Sequence, residues 1–234
     1  MDAKSESPEE RVAVVFDVDG TLYQQKGLRR VMLRKLLIGS LLSSETRKDL
    51  LILKRFRKDR ETLGQKVKSG FAEAQYRVTG ENLGLKPSRV KAAVERWIHR
   101  EPLRYLKKFR VPGVEEWTSS LRSLGVGLGV YSEYPAKEKV AALGLSFDVI
   151  VSSTDAEVDA FKPNPKGIEV VLSKLDTKPE NALFVGDRLD RDRPCAEAAG
   201  VHFLWVSDRV KGGTSLFPPP ESLLPSFLRE RSPS

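Results

Sequence analysis

Apolar residues along this chain fall into short continuous runs separated by amphipathic stretches. Consecutive apolar positions are typical of strands buried on both faces of a parallel sheet, whereas a sheet with one solvated face shows alternation. The strand-like runs alternate with helix-like stretches, which predicts a doubly wound α/β fold. The runs are 12–16, 126–131, 148–152, 182–186 and 201–206, and the helix-like stretches between them are 114–124, 136–143, 165–175 and 192–200.

Residues 24–110 do not follow this alternation, because their apolar positions recur at helical spacing among many Leu, Lys, Arg and Glu residues. Pro112 and Gly113 mark the return to the strand–helix pattern. The sequence therefore predicts a helical module inserted after the first strand. We expect its helices near 28–42, 45–62, 65–78 and 88–108, with breaks at Gly64, at 79–84 and at 85–88.

This organisation predicts a chain of four parts. A flexible start covers residues 1–10, and the α/β core combines residues 11–23 with 111–211. The helical insertion covers 24–110. The Ser- and Pro-containing end, 212–234, is expected to be loosely ordered, although a short docked helix could form within it.

Charge is distributed unevenly between these parts. The 234-residue chain has a formal net charge of +8, but residues 24–110 hold 24 basic and 8 acidic residues. Such polarity is typical of a protein with an anionic partner, and a solvated helical surface gives the same count. The basic run 53–61 raises the alternative of nucleic-acid binding. Its basic residues point to several sides of a helix and no series of stacking aromatics accompanies them, so we expect a solvated surface there.

Several observations bear on where the protein works. No run of about 18 apolar residues occurs, so no membrane-spanning helix is expected. The polar, acidic start does not resemble a secretory signal, and the single cysteine, Cys195, fits a reducing compartment. We expect a cytoplasmic protein without a membrane partner, as a monomer or homodimer.

Polar residues that could take part in catalysis or ligand binding follow four of the strand-like runs. Asp17 and Asp19 follow the first run, Ser132 the second, and Lys162 and Asp187 come later. Ligands bind at the carboxyl ends of strands in a doubly wound fold. A divalent cation held by Asp17 and Asp187 would offset the repulsion between a carboxylate nucleophile and a phosphoryl group. Lys162 and Ser132 would contact phosphoryl oxygens where charge collects in the transition state.

The residues after Asp17 suit the same chemistry. Asp19 lies two positions later, on the same side of an extended backbone, so it can protonate a leaving group and then activate water. Gly20 lets the chain turn away from the strand and leaves room near the phosphate, and Thr21 is a further candidate for phosphate binding.

Each feature also has a simpler structural explanation. Asp17 and its neighbours could form a loop turn, and Ser132 could cap a strand end. Lys162 could be a surface lysine, and Asp187 the N-cap of a helix. Their joint occurrence at successive strand ends favours a catalytic site.

Four segments carry a family resemblance: FDVDGTLY, YSEYP, FKPNP and VGDRLDRD. They resemble the motifs of the haloacid dehalogenase superfamily of aspartate-nucleophile phosphohydrolases, and the similarity extends over roughly 11–207. The resemblance implies a Rossmann-like core, a helical cap between the first two motifs, Mg²⁺ and an aspartyl-phosphate intermediate. The layout is similar to that of phosphoglycolate phosphatases.

The resemblance also implies a role for each matching residue. Asp17 would be the nucleophile and Asp19 the acid/base. The backbone carbonyl of Asp19 and the carboxylates of Asp17 and Asp187 would bind the metal. Asp192 matches the second acid of the last motif and would support the metal site from outside its ligands.

Within the superfamily, Asp19 favours phosphoryl chemistry. Hydrolytic dehalogenases generally lack an acid at its position, since a halide leaving group needs no proton. Phosphomutases keep both aspartates and remain an alternative, and a nucleic-acid-binding protein with an idle core is a less favoured one. Glu133 stands where many relatives have a small residue, and its carboxylate could face the substrate or point away.

The expected substrate is a small phosphorylated metabolite, because a helical cap over the site leaves little room for a macromolecule. The basic charge of the insertion would attract an anionic substrate. Candidate contacts are Arg29, Arg30, Arg34 and Lys35 in the first helix of the insertion.

Overall fold

The structure of the protein is a computed structural model that describes residues 11–67, 69–206 and 217. Its centre is a five-stranded sheet in which every neighbouring pair is parallel, with the order β3-β2-β1-β4-β5. The predicted α/β fold is therefore confirmed. The strands are β1 (Ala13–Phe16), β2 (Gly127–Ser132), β3 (Val149–Ser152), β4 (Ala182–Gly186) and β5 (His202–Trp205).

β1 lies in the middle of the sheet, and its register places three strand ends side by side. Val15 pairs with Gly129 of β2 on one side and with Phe184 of β4 on the other. At the carboxyl edge the chain continues into Asp17, whose backbone N–H donates to the carbonyl of Val185 at 2.8 Å. Residues that directly follow β1, β2 and β4 therefore share one edge of the sheet.

Between β1 and β2 the chain forms a series of helices, as predicted. They are α1 (Gln25–Leu42), α2 (Ser44–Glu61), α3 (Leu63–Lys66), α4 (Phe71–Leu83), α5 (Pro87–Val94), which continues as a π-helical segment (Glu95–Arg100), and α6 (Leu103–Leu106), which a 3₁₀ turn (Lys107–Phe109) follows. The division of the chain into a core and a separate cap domain stays a prediction.

Several helix boundaries differ from those predicted, and the breaks expected at Gly64 and at 79–84 fall within α3 and the end of α4. The third helix was expected at 65–78, but the chain breaks after Lys66 and α4 runs instead from Phe71 to Leu83. It ends at Gly84, which has a φ of +65° and closes the helix in a left-handed conformation. The single helix expected at 88–108 is interrupted at Pro102, because proline has no N–H for the helical ladder.

The remaining helices cover the sheet. Neighbouring residues of β1 face opposite sides, so Val14 and Phe16 join one buried cluster while Ala13 and Val15 join the other. Both faces are therefore buried, which explains the continuous apolar runs. The helices that cover the sheet are α7 (Val114–Ser123), α8 (Lys137–Leu143), α9 (Lys166–Leu175) and α10 (Asp192–Ala198), with a 3₁₀ turn at Pro179–Asn181.

Some expectations fall outside this description. The predicted flexible start at 1–10 and most of the predicted tail at 212–234 lie outside the described residues. Within the part of the chain that is described, no helix has the length and apolarity needed to cross a bilayer.

A loop beyond β3 holds the start of α4. The carboxylate of Asp159 accepts hydrogen bonds from the backbone N–H groups of Gly70 at 2.5 Å and Phe71 at 2.8 Å. The ring of Phe71 packs edge-on against Phe161, with centroids 4.9 Å apart. Since Phe161 precedes Lys162, the helical insertion is fastened to the loop that carries this lysine.

We expect Asp159→Ala to lower the free energy of unfolding by about 1 kcal/mol, because it removes the cap of α4. Amide hydrogen exchange at Gly70 and Phe71 should become faster. Asp176→Ala is the matched control, since Asp159 and Asp176 both have a positive φ, of 41° and 53°. Asp176 makes a surface ion pair with Arg11, so its replacement should leave α4 unchanged. Unchanged exchange at Gly70 and Phe71 in Asp159→Ala would contradict the capping role.

Candidate active site

Asp17 is buried at the carboxyl edge of the sheet, with both carboxylate oxygens engaged. Oδ1 accepts a hydrogen bond from Lys162 Nζ at 2.6 Å, and Oδ2 accepts one from Thr21 Oγ1 at 3.3 Å. Lys162 Nζ also donates to Asp192 Oδ1 at 2.9 Å and lies 4.9 Å from the ring centre of Phe184. One lysine ammonium therefore bridges two buried carboxylates, and their charges hold the pKa of Lys162 well above its usual value although burial lowers it.

Asp187 joins this pair of acids. One oxygen each from Asp17, Asp187 and Asp192 lie within 4.8 Å of one another. Burial raises the pKa of Asp17 to about 7, with repulsion from Asp192 adding to it and Lys162 opposing it. Burial and the charges of Asp17 and Asp192 raise the pKa of Asp187 to about 8. Among the described residues, the single positive charge of Lys162 does not balance the negative charge of three carboxylates this close together.

The cluster fits a divalent cation. Asp187 Oδ1 is buried, and within the described residues it has no hydrogen-bond partner. A buried oxygen left without a partner is costly unless something else satisfies it. Carboxylate oxygens are the ligands that hard divalent cations prefer, so Asp17, Asp187 and Asp192 could hold one.

Two glycines permit this close approach. Gly20 has a φ of +112°, and a Cβ atom built there would lie 2.3 Å from Asp187 Oδ2. A Cβ atom at Gly186 would lie 2.5 Å from Asp192 Oδ2. The turn predicted at Gly20 is present, and the space that its missing side chain leaves is taken by the carboxylate of Asp187.

Asp19 faces a different set of partners. Lys139 Nζ, from α8, donates to its two oxygens at 2.7 and 2.8 Å, and the hydroxyl of Tyr23 donates to Oδ1. Burial alone would raise the pKa of Asp19, but the charge of Lys139 and these hydrogen bonds outweigh burial and lower it. Asp19 is therefore a carboxylate in this structure, the form that accepts a proton.

Ser132 lies at the end of β2, where it holds the following loop. Its Oγ accepts a hydrogen bond from the backbone N–H of Tyr134 at 3.3 Å, and Ser132 is not among the residues that line the cavity beside Asp17. The strand-end cap is thus the contact observed, and the phosphate contact stays a prediction. Glu133 faces the cavity, but its carboxylate pairs with Arg191 at 2.9 Å.

The cavity beside Asp17 has a volume of about 140 Å³. Of the candidate contacts in α1, Arg29 lines it, whereas Lys35 pairs with Glu101. Arg57 and Arg60 of the basic run also line it. Arg60 is buried, so the expectation of a solvated surface was wrong for this residue, whereas Arg57 is exposed as expected. The lining residues are Asp17, Asp19, Gln25, Arg29, Arg57, Arg60, Glu61, Glu133, Tyr134, Lys162, Arg188, Arg191 and Asp192.

Sequence reasoning missed Lys139, Tyr23, Arg57 and Arg60. Tyr23 carries a weak signal, because it is the last residue of the segment FDVDGTLY, four positions after Asp19. Lys139 and the two arginines carry no sequence signal of a place in the site, since a lysine or arginine on an amphipathic helix is ordinarily a solvated residue.

A family model described as haloacid dehalogenase-like hydrolase matches residues 12–200. The chain belongs to this family. A curated relative, the glyceraldehyde 3-phosphate phosphatase of Methanopyrus kandleri, is 31% identical over 207 residues, covering 86% of this chain and 84% of that protein. The phosphoserine phosphatase of Thermus thermophilus is 29% identical over 58% of this chain and 54% of its own length.

Solved structures agree with this assignment. A haloacid dehalogenase (HAD) phosphatase from Thermococcus onnurineus is 26% identical and superposes with a TM-score of 0.56, over 87% of this chain and 90% of that one. The predicted family and the prediction of a phosphoric monoester hydrolase of the phosphatase type are confirmed.

Cation binding by this phosphatase should depend on pH, because the carboxyls that hold the ion must be ionised. Without metal, the pKa values of Asp17 and Asp187 are raised from 3.8 to about 7 and about 8. Between the low and the raised values the folded state binds more protons than the unfolded chain, so the stability of the metal-free protein falls as the pH rises. Saturating Mg²⁺ should therefore raise Tm more at about pH 8.5 than at about pH 6, measured by scanning calorimetry.

Two variants make this comparison specific. Asp187→Asn should remove the pH-dependent gain, because it removes one of the three carboxylates. Asp190→Asn should keep it, because Asp190 lies in the same loop but pairs with Arg188 at the surface. An Mg²⁺ effect on Tm that is equal at both pH values, or that survives in Asp187→Asn, would contradict a cation site at this cluster.

Proposed function

We propose that this chain is a Mg²⁺-dependent phosphatase that hydrolyses a small phosphorylated metabolite through an aspartyl-phosphate on Asp17. The observation that carries the proposal is the convergence of Asp17, Asp187 and Asp192 beside Lys162, where a buried oxygen of Asp187 has no hydrogen-bond partner within the described residues. A set of carboxylates suits Mg²⁺, which also favours phosphate oxygens as ligands. The phosphatases among the relatives support the same reaction class.

Asp17 is the nucleophile in this proposal. Lys162 and Thr21 fix its carboxylate by hydrogen bonds to different oxygens, so that its orientation is set before substrate arrives. When bound, the cation supplies positive charge that keeps Asp17 ionised and offsets the charge of the phosphoryl group. Asp17 attacks phosphorus, a bond forms between phosphorus and the carboxylate oxygen, and the bond to the leaving oxygen breaks.

Asp19 moves the proton. In its protonated form it gives a proton to the leaving oxygen, which departs with the electron pair of the broken bond. The resulting carboxylate, which Lys139 and Tyr23 stabilise, then takes a proton from the water that attacks the phosphoryl group. Inorganic phosphate leaves and Asp17 is regenerated. The lowered pKa of Asp19 suits the second of these steps directly.

The size of the cavity supports a small substrate. About 140 Å³ lies beside Asp17, with α1 and α2 contributing Gln25, Arg29, Arg57 and Arg60 to its wall. A cavity of this size suits a metabolite, and a wider pocket of about 790 Å³ adjoins it at Arg60, Glu61 and Lys162. The relative from Methanopyrus kandleri is named for a substrate of this size class, glyceraldehyde 3-phosphate.

Asp17→Asn should reduce phosphate release from a panel of phosphorylated metabolites with Mg²⁺ by roughly three orders of magnitude or more, because it removes the nucleophile. Circular dichroism would verify that the variant is folded. Asp176→Asn, which replaces an exposed aspartate far along the chain, is the control for the chemical change itself. Undiminished turnover by Asp17→Asn would contradict the mechanism. A requirement for a bisphosphorylated activator would favour the phosphomutase alternative instead.

A further inference from the structure

Two solvent-exposed arginines reach the cavity beside Asp17 without an ion-pair partner among the described residues. Arg29 comes from α1 and Arg57 from α2, and both line the cavity that contains Asp17. Within the described part of the chain, neither guanidinium takes part in a hydrogen bond or an ion pair. Partial burial, together with the positive charge of Arg29, lowers the pKa of Arg57. The two positive charges are therefore close enough to repel each other.

Most of the other basic groups around the cavity are paired with carboxylates. Lys162 is paired with Asp17 and Asp192, and Lys139 with Asp19. Arg191 is paired with Glu133, and Arg188 with Asp190. Glu61 also lines the cavity, but within the described residues it forms no ion pair with Arg29 or Arg57. These two arginines are therefore available to an anion from outside the protein.

Arg60 adds to the positive excess on the same helix as Arg57. Its side chain is buried and donates to the amide oxygen of Gln75 at 2.5 Å, and its guanidinium lies 4.0 and 4.2 Å from the ring centres of Tyr134 and Phe161. Among the described residues it has no carboxylate partner. A buried arginine that neutral groups hold in place keeps its full charge in the cavity wall.

Arg29 and Arg57 lie on the side of the cavity where a leaving group would depart. A neighbouring cavity of about 60 Å³ shares Asp19, Gln25, Arg29, Arg57 and Tyr134 with the first. In the proposed mechanism Asp19 protonates the leaving oxygen. The remainder of the substrate beyond that oxygen would therefore lie against the two arginines.

We propose that the substrate is a phosphate monoester whose leaving group carries a second anionic group, a carboxylate or a second phosphate, bound by Arg29 and Arg57. This inference rests on the proposed phosphatase function and specifies its substrate class. The acid cluster and Lys162 serve the phosphoryl group that reacts, which leaves the two additional guanidiniums available to a second anion. Guanidinium groups bind carboxylate and phosphate through paired hydrogen bonds. The small cavity requires only a few atoms between the two anionic groups.

A matched pair of substrates tests the inference. Phosphoglycolate carries a carboxylate, and 2-hydroxyethyl phosphate carries a neutral hydroxyl group in its place. We expect kcat/KM of the wild-type protein to be about tenfold to a hundredfold higher for phosphoglycolate than for 2-hydroxyethyl phosphate, because hydrogen bonds to a charged group contribute this much binding free energy. The bisphosphate of 1,3-propanediol offers a second phosphate in place of the carboxylate. Whether phosphoglycolate or the bisphosphate has the higher kcat/KM distinguishes a carboxylate site from a second phosphate site.

Variants locate the effect. Arg57→Gln should lose about tenfold or more in kcat/KM for the substrate with two anionic groups, and a smaller factor for 2-hydroxyethyl phosphate. Arg57→Lys should restore part of the loss. Lys58→Gln removes the same charge one residue away, from an exposed side chain that lines neither cavity, and should leave both values unchanged. Equal losses in Arg57→Gln and Lys58→Gln would show general electrostatic attraction and overturn the inference.

A binding measurement separates this inference from the proposed function. Phosphonoacetate and 2-hydroxyethylphosphonate cannot be hydrolysed, and calorimetry with Mg²⁺ gives their affinities without turnover. We expect phosphonoacetate to bind about tenfold or more tightly, and Arg57→Gln to remove the difference. Equal affinities would overturn the second anion site even in an active enzyme. A preference for phosphonoacetate without hydrolysis of any phosphate ester would support the site and contradict the phosphatase mechanism.

Discussion

Repulsion between closely spaced carboxylates is the constraint on which the rest of this site depends. Asp17, Asp187 and Asp192 approach within 4.8 Å at the edge of a sheet, and Lys162 bonds to two of them. The raised pKa values of Asp17 and Asp187 express the cost of this arrangement without a cation. Such a cluster is stable where positive charge is brought to it, and the proposed divalent cation and catalytic function would account for it together.

The fold supplies the rigidity that this repulsion demands. Three adjacent strands end at one edge, and their register fixes the positions of the residues that follow. Glycines at positions 20 and 186 provide the space in which the carboxylates of Asp187 and Asp192 lie. The helical insertion closes the other side with Arg57 and Arg60, so negative charge from the sheet faces positive charge from α2. An anionic substrate between these two surfaces would complete the charge balance.

The sequence predicts the sheet and the acids well, for a physical reason. Strands buried on both faces need continuous apolar runs, and each run ends where the chain leaves the core, so Asp17 and Asp187 are marked by position. It does not predict the pairing of Lys139 with Asp19, because an amphipathic helix looks the same whether its lysine meets water or a carboxylate. For the same reason, the sequence does not distinguish Arg57, which lines the cavity, from the other basic residues of its run. The start of α4 depends on Asp159, which is distant in sequence, and local patterns carry no signal for it.

The stereochemical course at phosphorus tests the central claim most directly, since it reports whether Asp17 or water attacks first. A phosphorothioate ester that the protein hydrolyses can be made chiral at phosphorus with oxygen isotopes, and the configuration of the released thiophosphate can be determined. Two successive in-line displacements, the first by Asp17 and the second by water, predict retention of configuration. Inversion would mean a single direct attack by water and would contradict the account.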